Sequence, residues 1–471
     1  MILACNQEFY FSETKINYIS MTKNAVITWS FIIALGGFLF GFDTAVISGA
    51  ERAIQIFWNL SAAEHGFTMA VALLGTIAGA AIGAYPSDKL GRKKTLFLVA
   101  ILYFFSALGT ALAEQWTLFL LFRFMGGIAV GTSSVVAPVY ISEISPAKSR
   151  GKLVGLFQVN IVIGILTAYL SNFVIGQMDE TSWRWMLGIQ AVPALLFYGL
   201  IYLLPESPRW LLLHRNDRIA AEKVLKIIDA ATYKSEVEVI LLADQRGRKQ
   251  EKAMDKLFSK QYSLPIMLAM LLAFFNQFAG INAIIYYAPR VFELAGLGVQ
   301  SSLLSTVGIG VVNFLFTLLA INFIDGIGRR KLMLIGSFGL IATLLMVSYS
   351  FYMQEMGTTD WISNGIAITV YLMAYVSFFA FSQGAVIWVF ISEIFPNEIR
   401  AKGQTLGSLT HWVLAALITF SFPMLTTHLG GGNTFMIFAG CMVLQLLFVW
   451  RAMPETKGKS LEQIEGHILI H

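Results

Sequence analysis

Five polar side chains interrupt one apolar stretch. Phe274–Tyr287 reads FFNQFAGINAIIYY and carries Asn276, Gln277, Asn282, Tyr286 and Tyr287. Uncharged hydrogen-bonding groups at bilayer depth are costly unless something satisfies them. A ligand covered in hydroxyls would do so. Neighbouring helices glued together by these amides would do so equally well. On a straight helix, turning about 100° per residue, Asn276 and Asn282 point to different sides. Gly280 lies between them, where the helix could open and let the amides converge. Asn282 and Tyr286, four residues apart, share a face.

A second candidate is electrostatic. Asp43 and Arg123 are the charges that fall well inside apolar segments, and intramembrane charges are expensive and by default functional. Asp43 lies about 17 residues past Val26, roughly 25 Å along a helix, and Arg123 about 7 past Trp116, roughly 10 Å from the opposite side. In a hydrocarbon core about 30 Å thick both reach the outer third, so they can pair. Such a pair can serve as a proton switch: Asp43 takes a proton and releases Arg123. A static packing pair is the other reading.

Further charges repeat along the chain. DKLGRKK at Asp88–Lys94 returns as DGIGRRK at Asp325–Lys331, and YISEISPAKSRGK at Tyr140–Lys152 as FISEIFPNEIRAKG at Phe390–Gly403. PESPRW at Pro205–Trp210 returns as PETKGK at Pro454–Lys459. In D-x-x-G-R the glycine permits a tight turn that lets Asp88 meet Arg92 and Asp325 meet Arg329. Glu143, Arg150, Glu206, Glu393, Arg400 and Glu455 add charges that could lock two halves together and release when that side opens. Taken singly, such pairs in basic loops are worth little. Their return in the same order makes a gate the expectation.

A membrane scaffold must position these groups. Hydrophobic residues make up 56% of the 471 and charged ones 13%, with a mean hydropathy of +0.68. Soluble domains carry roughly a quarter charged residues, so the composition predicts a polytopic, all-α membrane protein. Apolar runs predict twelve spans near 26–48, 67–86, 95–113, 116–140, 153–175, 185–204, 263–288, 302–324, 332–353, 365–391, 403–425 and 433–452. They divide six and six about a polar stretch, 205–262, whose Ala220, Val224, Leu225 and Ile228 predict amphipathic surface helices. The expected organisation is an unordered extension 1–24, bundles 25–204 and 263–453, the linker 205–262 between them, and a tail 454–471. Most of the 33 lysines and arginines follow even-numbered spans, and the opposite loops hold only Arg52, Arg184 and Arg290. Both termini are therefore expected in the cytoplasm. That distribution also accounts for the net charge of +5 without nucleic acid. Two cysteines exclude a disulfide framework or a cysteine-based metal site. No Ser–His–Asp set, metal-ligand cluster or Walker P-loop appears, so neither an enzyme, a metal nor a cofactor is expected.

GFLFGFDTAVISGA, RFMGGIAVG, PVYISEISP, PESPRWLL, NQFAGINAIIYYAP, DGIGRRK, SEIFPNEIRAKG and PETKGKSLEQIE together resemble the signatures of the sugar porters of the major facilitator superfamily. The resemblance runs from Ala25 to Ile464. It implies twelve transmembrane helices in two six-helix bundles that rock around a central sugar. By motif it implies sugar contacts at Gln158, Gln277, Asn282, Tyr286, Asn313, Trp388 and Trp412, with Phe40 nearby. Amides and indole N–H groups bond hydroxyls, and aromatic faces pack on a sugar's C–H surfaces. Three positions depart from the family's pattern. Asn276 stands where a second glutamine is usual. His411 stands where Asn or Gln is common and could donate to a hydroxyl, titrate or simply pack. The tenth span reads SQGAVIW, without the prolines that would unwind it beside Trp388. The expected function is import of a monosaccharide, hexose or pentose, by proton symport through Asp43 and Arg123. A passive facilitator is the alternative, because some microbial facilitators also carry this aspartate. A non-transporting sensor is disfavoured by the short tail. The expected setting is a bacterial inner membrane, the partners a monosaccharide and lipid, and the working unit a monomer.

Overall fold

The computed structural model describes residues 2–146, 149–178, 181–250, 258–358, 360–395 and 399–457, the side chains of 2–24, 243–250 and 401 excepted. The described elements are helical. In the first half they are α1 (Ile2–Phe57), α2 (Ala62–Ile82), α3 (Ala84–Leu90), α4 (Arg92–Leu112), α5 (Trp116–Glu143), α6 (Arg150–Ile175), α7 (Ser182–Gly188) and α8 (Ala191–Ile201). Between the halves lie α9 (Pro208–His214), α10 (Arg218–Ile228) and α11 (Tyr233–Gln250). The second half holds α12 (Ser263–Phe278), α13 (Ile281–Leu294), α14 (Val299–Ile327), α15 (Arg329–Glu355), α16 (Gly365–Phe381), α17 (Gln383–Ile394) and α18 (Arg400–Arg451).

Eleven segments of the described residues are long and apolar enough to cross a membrane. The last, Lys402–Arg451, holds 50 residues, well over twice the roughly 20 that one crossing needs. It breaks at Gly430, whose φ of 79° and ψ of 168° end one helix and start the next. Counted as two arms, it brings the crossings to the twelve expected. Two boundaries differ from expectation. The backbone of α1 is already helical at Ile2, because neither Gly nor Pro precedes Gly36 to stop it. The same helix continues to Phe57, about two turns past the expected end, and carries Glu51 and Arg52 with it.

Burial follows the inward faces of these helices. One apolar core is shared by both halves and joins Phe42, Ile47, Ile165 and Tyr169 to Ile284, Tyr286, Trp412 and Phe422. Two further cores each belong to one half. Ile33, Leu96, Tyr140 and Phe197 form the first, and Leu332, Phe390, Ile391 and Val449 the second. The separate cores lie toward the lysine- and arginine-rich face and the shared core toward the opposite, base-poor face. The apolar core that the halves share is therefore on the base-poor side. The linker helices pack on one another through Leu212, Ala221, Leu225, Val237 and Ile240, the amphipathic face read from the spacing shifted by one at Ala221.

Candidate functional site

The seventh span is broken where the polar stretch predicts. Gly280 separates α12 from α13 with φ 88° and ψ 13°, a left-handed conformation that side chains resist. A Cβ there would also stand 2.6 Å from the Phe438 ring. Tyr287 (φ −124°, ψ 19°), just before Pro289, bends α13 again. The break brings the amides together. Asn282 Nδ2 donates to Gln277 Oε1 at 2.5 Å, and Gln277 Nε2 donates to Asn276 Oδ1 at 2.9 Å. The second Gln277 hydrogen points at His411, 3.1 Å from Nδ1 and 3.2 Å from Nε2. Whichever tautomer is present, one ring nitrogen accepts.

Gln277 is wholly buried and both its donors are used, so it orients its neighbours. Asn282 bonds it and is half-buried, as are Gln158 of α6 and Asn313 of α14, for which no contact with the cluster is seen among the described residues. The Gln158 and Asn313 amides and the Trp388 and Trp412 indoles make no hydrogen bond among the described residues. His411 lies between two indoles, 4.8 Å from Trp388 and 5.1 Å from Trp412, and Trp412 reaches Phe40 at 5.5 Å. Trp388 is 36% exposed whereas Trp412 is 8%, so the cluster has one exposed edge. The tenth span breaks beside it without proline. Ser382 (φ −114°, ψ −85°) separates α16 from α17, and its hydroxyl donates to the Phe378 carbonyl at 2.6 Å. The Ser382 N–H still reaches the same carbonyl at 3.2 Å, so the hydroxyl adds a bond at the break without removing a donor as proline would.

Arg123 Nη1 donates to Asp43 Oδ1 at 2.8 Å, and both side chains are at most 3% exposed. The pair is incomplete, since Arg123 Nε and Nη2 have no partner among the described residues. The Tyr286 hydroxyl lies close to the Thr44 side chain, whose chain neighbour is Asp43. Thr44 thus stands beside both Tyr286 and the ion pair. Its β-branched hydroxyl gave no signal in the sequence beyond its neighbour.

The repeated charges form two matching braces on the basic face. In the first half Arg92 reaches Asp88 at 3.0 Å and Glu143 at 3.0 and 3.1 Å. Glu206 Oε1 accepts from the backbone N–H groups of Arg92, Lys93 and Ser207. Burial pushes the Glu206 carboxyl above its ordinary value, and these three donors oppose the shift. In the second half Arg329 reaches Asp325 at 3.0 Å and Glu393 at 2.8 Å, and Glu455 accepts from the Arg329 and Arg330 backbone. Gly91 and Gly328, at φ 100° and 99°, make the turns that allow this. Each acid is held within its own half, where the sequence suggested a lock between halves. Arg150 Nε and Arg400 Nη2 lie buried without a partner among the described residues.

Charges well inside the spans number more than the two expected. Glu51, at 1% exposure, is as buried as Asp43. The sequence placed it in a loop because the first span was ended at 48.

The sequence matches the family profile described as "Sugar (and other) transporter" over residues 29–467. It is 37% identical to the D-xylose-proton symporter of Escherichia coli K12, over 94% of this chain and 95% of that protein. It is 38% identical to the glucose transporter GlcP of Staphylococcus epidermidis, over 92% and 95%. The inward open conformation of the xylose transporter XylE from E. coli superposes with a TM-score of 0.82 at 34% identity, covering 94% of this chain and 99% of that one.

Proposed function

The chain belongs to the sugar transporter family, and from that premise we propose that it imports a hexose or pentose together with a proton. It is a multi-pass membrane transporter of sugar and not an enzyme, set by its relatives in a bacterial inner membrane. The observation that carries the finer reading is the convergence of Asn276, Gln277, Asn282 and His411 at the Gly280 break, edged by Trp388. Such a cluster suits a ligand with many hydroxyls, and the indoles suit its C–H faces.

The basic face reads as the cytoplasm. On that reading the halves join on the outer side through the shared core, which suits an inward-open state like that of the similar XylE structure. Facing out, Asp43 takes a proton and frees Arg123; sugar binds and the halves rock. Facing in, the proton leaves and the pair re-forms. Coupling requires only that protonation bias the equilibrium between the two states. The Tyr286–Thr44 contact supplies a route from bound sugar to Asp43.

Two measurements test this. Uptake of radiolabelled hexoses and pentoses in a transport-deficient host, at two pH values, identifies the sugar. Proteoliposomes carrying Asp43→Asn are expected to lose gradient-driven accumulation at least tenfold and to retain counterflow. Wild-type uptake indifferent to the proton gradient would make the chain a facilitator and the ion pair a packing element.

A further inference from the structure

Three basic residues lie on the base-poor face, and transport as described above uses none of them. Arg184 stays within one half: it donates to the Ala111 and Ala113 carbonyls at 2.8 and 2.9 Å and stacks over Trp183. Arg52 and Arg290 cross between halves. Arg52 of α1 pairs with Glu293 of α13 at an exposed rim. Deeper, Arg290 of α13 donates to Glu51 of α1 at 3.4 Å and to Gln55 Oε1 at 2.6 Å. An acid and a base at 51 and 52 thus face a base and an acid at 290 and 293.

The inner pair carries more weight. The Glu51 side chain is 2% exposed, while Arg52 is 59% exposed. Solvated pairs contribute little, whereas a buried carboxylate stripped of one partner is strongly penalised. The other partner of Glu51 is His65 of α2, Nε2 to Oε2 at 2.7 Å. The His65 ring is wholly buried, meets the Tyr287 ring at 5.9 Å, and its Nδ1 has no partner among the described residues. From α18, the Phe420 carbonyl closes against Gly66 next to it. Glu51 and His65 belong to one half and Arg290 to the other. Parting the halves on this face therefore takes the arginine from a carboxylate that keeps only its histidine.

We infer that Glu51 and Arg290, with His65 orienting the carboxylate, form an ion-pair clamp that holds the external face shut and sets how readily the transporter opens outward. The inference rests on the alternating-access reading and is independent of the sugar carried.

The test needs no sugar. The full chain, with Cys5 and Cys441 replaced by serine, receives one reporter, Leu303→Cys. Leu303 is 5% exposed and lies against Gly176 of the other half on the same face. Right-side-out vesicles are treated with a membrane-impermeant maleimide. Glu51→Gln and Arg290→Gln are each expected to raise the labelling rate about tenfold. The double variant should label no faster than the quicker single, because both remove one interaction. Arg52→Gln should change the rate less than about twofold. A control cysteine at Leu96, buried in the core of one half, should stay unlabelled. Unchanged labelling in both single variants, additive effects in the double, or an equal rise at the control would each overturn the clamp.

Discussion

His411 replaces an amide with a ring, and the geometry says what each would do. Its acceptor nitrogen receives Gln277, and its faces fill the space between Trp388 and Trp412. His411→Gln keeps an acceptor for Gln277 and removes two aromatic contacts, each worth about 0.5–1.5 kcal/mol. The expected result is a KM raised about three- to tenfold with the maximal rate within about twofold. The concentration dependence of uptake measures it. An unchanged KM would make His411 a packing residue. At the same scale Asp43 and Arg123 were legible from charge alone, because no other reading of a charge at that depth is cheap. Thr44 was not, since a hydroxyl inside a helix usually returns to its own carbonyl four residues back. Thr44 does so as well, at 2.9 Å to Phe40.

Helix breaks turn these residues toward one another. Gly280 holds a backbone conformation that costs other residues about 1–3 kcal/mol, before its contact with Phe438 is counted. Gly280→Ala is therefore expected to lower thermal stability by that order and weaken sugar binding at least about tenfold, as the amides lose register. Thermal unfolding with and without sugar reads both effects. An intact ligand-induced shift in this variant would mean that the break does not position the site. Gly280 was visible as a glycine between two amides. The Ser382 break was not, because a serine within an apolar span gives no sequence signal until Phe378 is seen accepting its hydroxyl. The end of α1 was also missed. Apolar run length marks the bilayer, and helices continue past it until a stop residue arrives.

Across the whole molecule two copies of one brace lie in separate halves. Arg92 with Glu143 and Arg329 with Glu393 match element for element. Glu143→Gln and Glu393→Gln each leave a buried guanidinium short of its carboxylate, at a cost of about 1.5–3 kcal/mol. Because each brace is confined to its half, the double variant should lose the sum to within about 0.5 kcal/mol. Denaturant unfolding in detergent checks this. A double loss well below the sum would show the halves unfolding as coupled braces. The organisation by halves was legible from the three repeated motifs, since topology and order are carried by the chain itself.

The sequence alone determined the membrane scaffold, the repeat, the ion pair at matched depth and the residue types of the site. Those follow from composition, period and spacing, which are local properties of the chain. Tertiary structure decided which partners these charges take. Glu143 and Glu393 turn inward to their own halves, and Glu51, Arg52, Arg290 and Glu293 reach across. An ion pair depends on distance between helices far apart in sequence and on how the two halves stand. The same acids can close one face or brace one half, and only the packed arrangement selects between them.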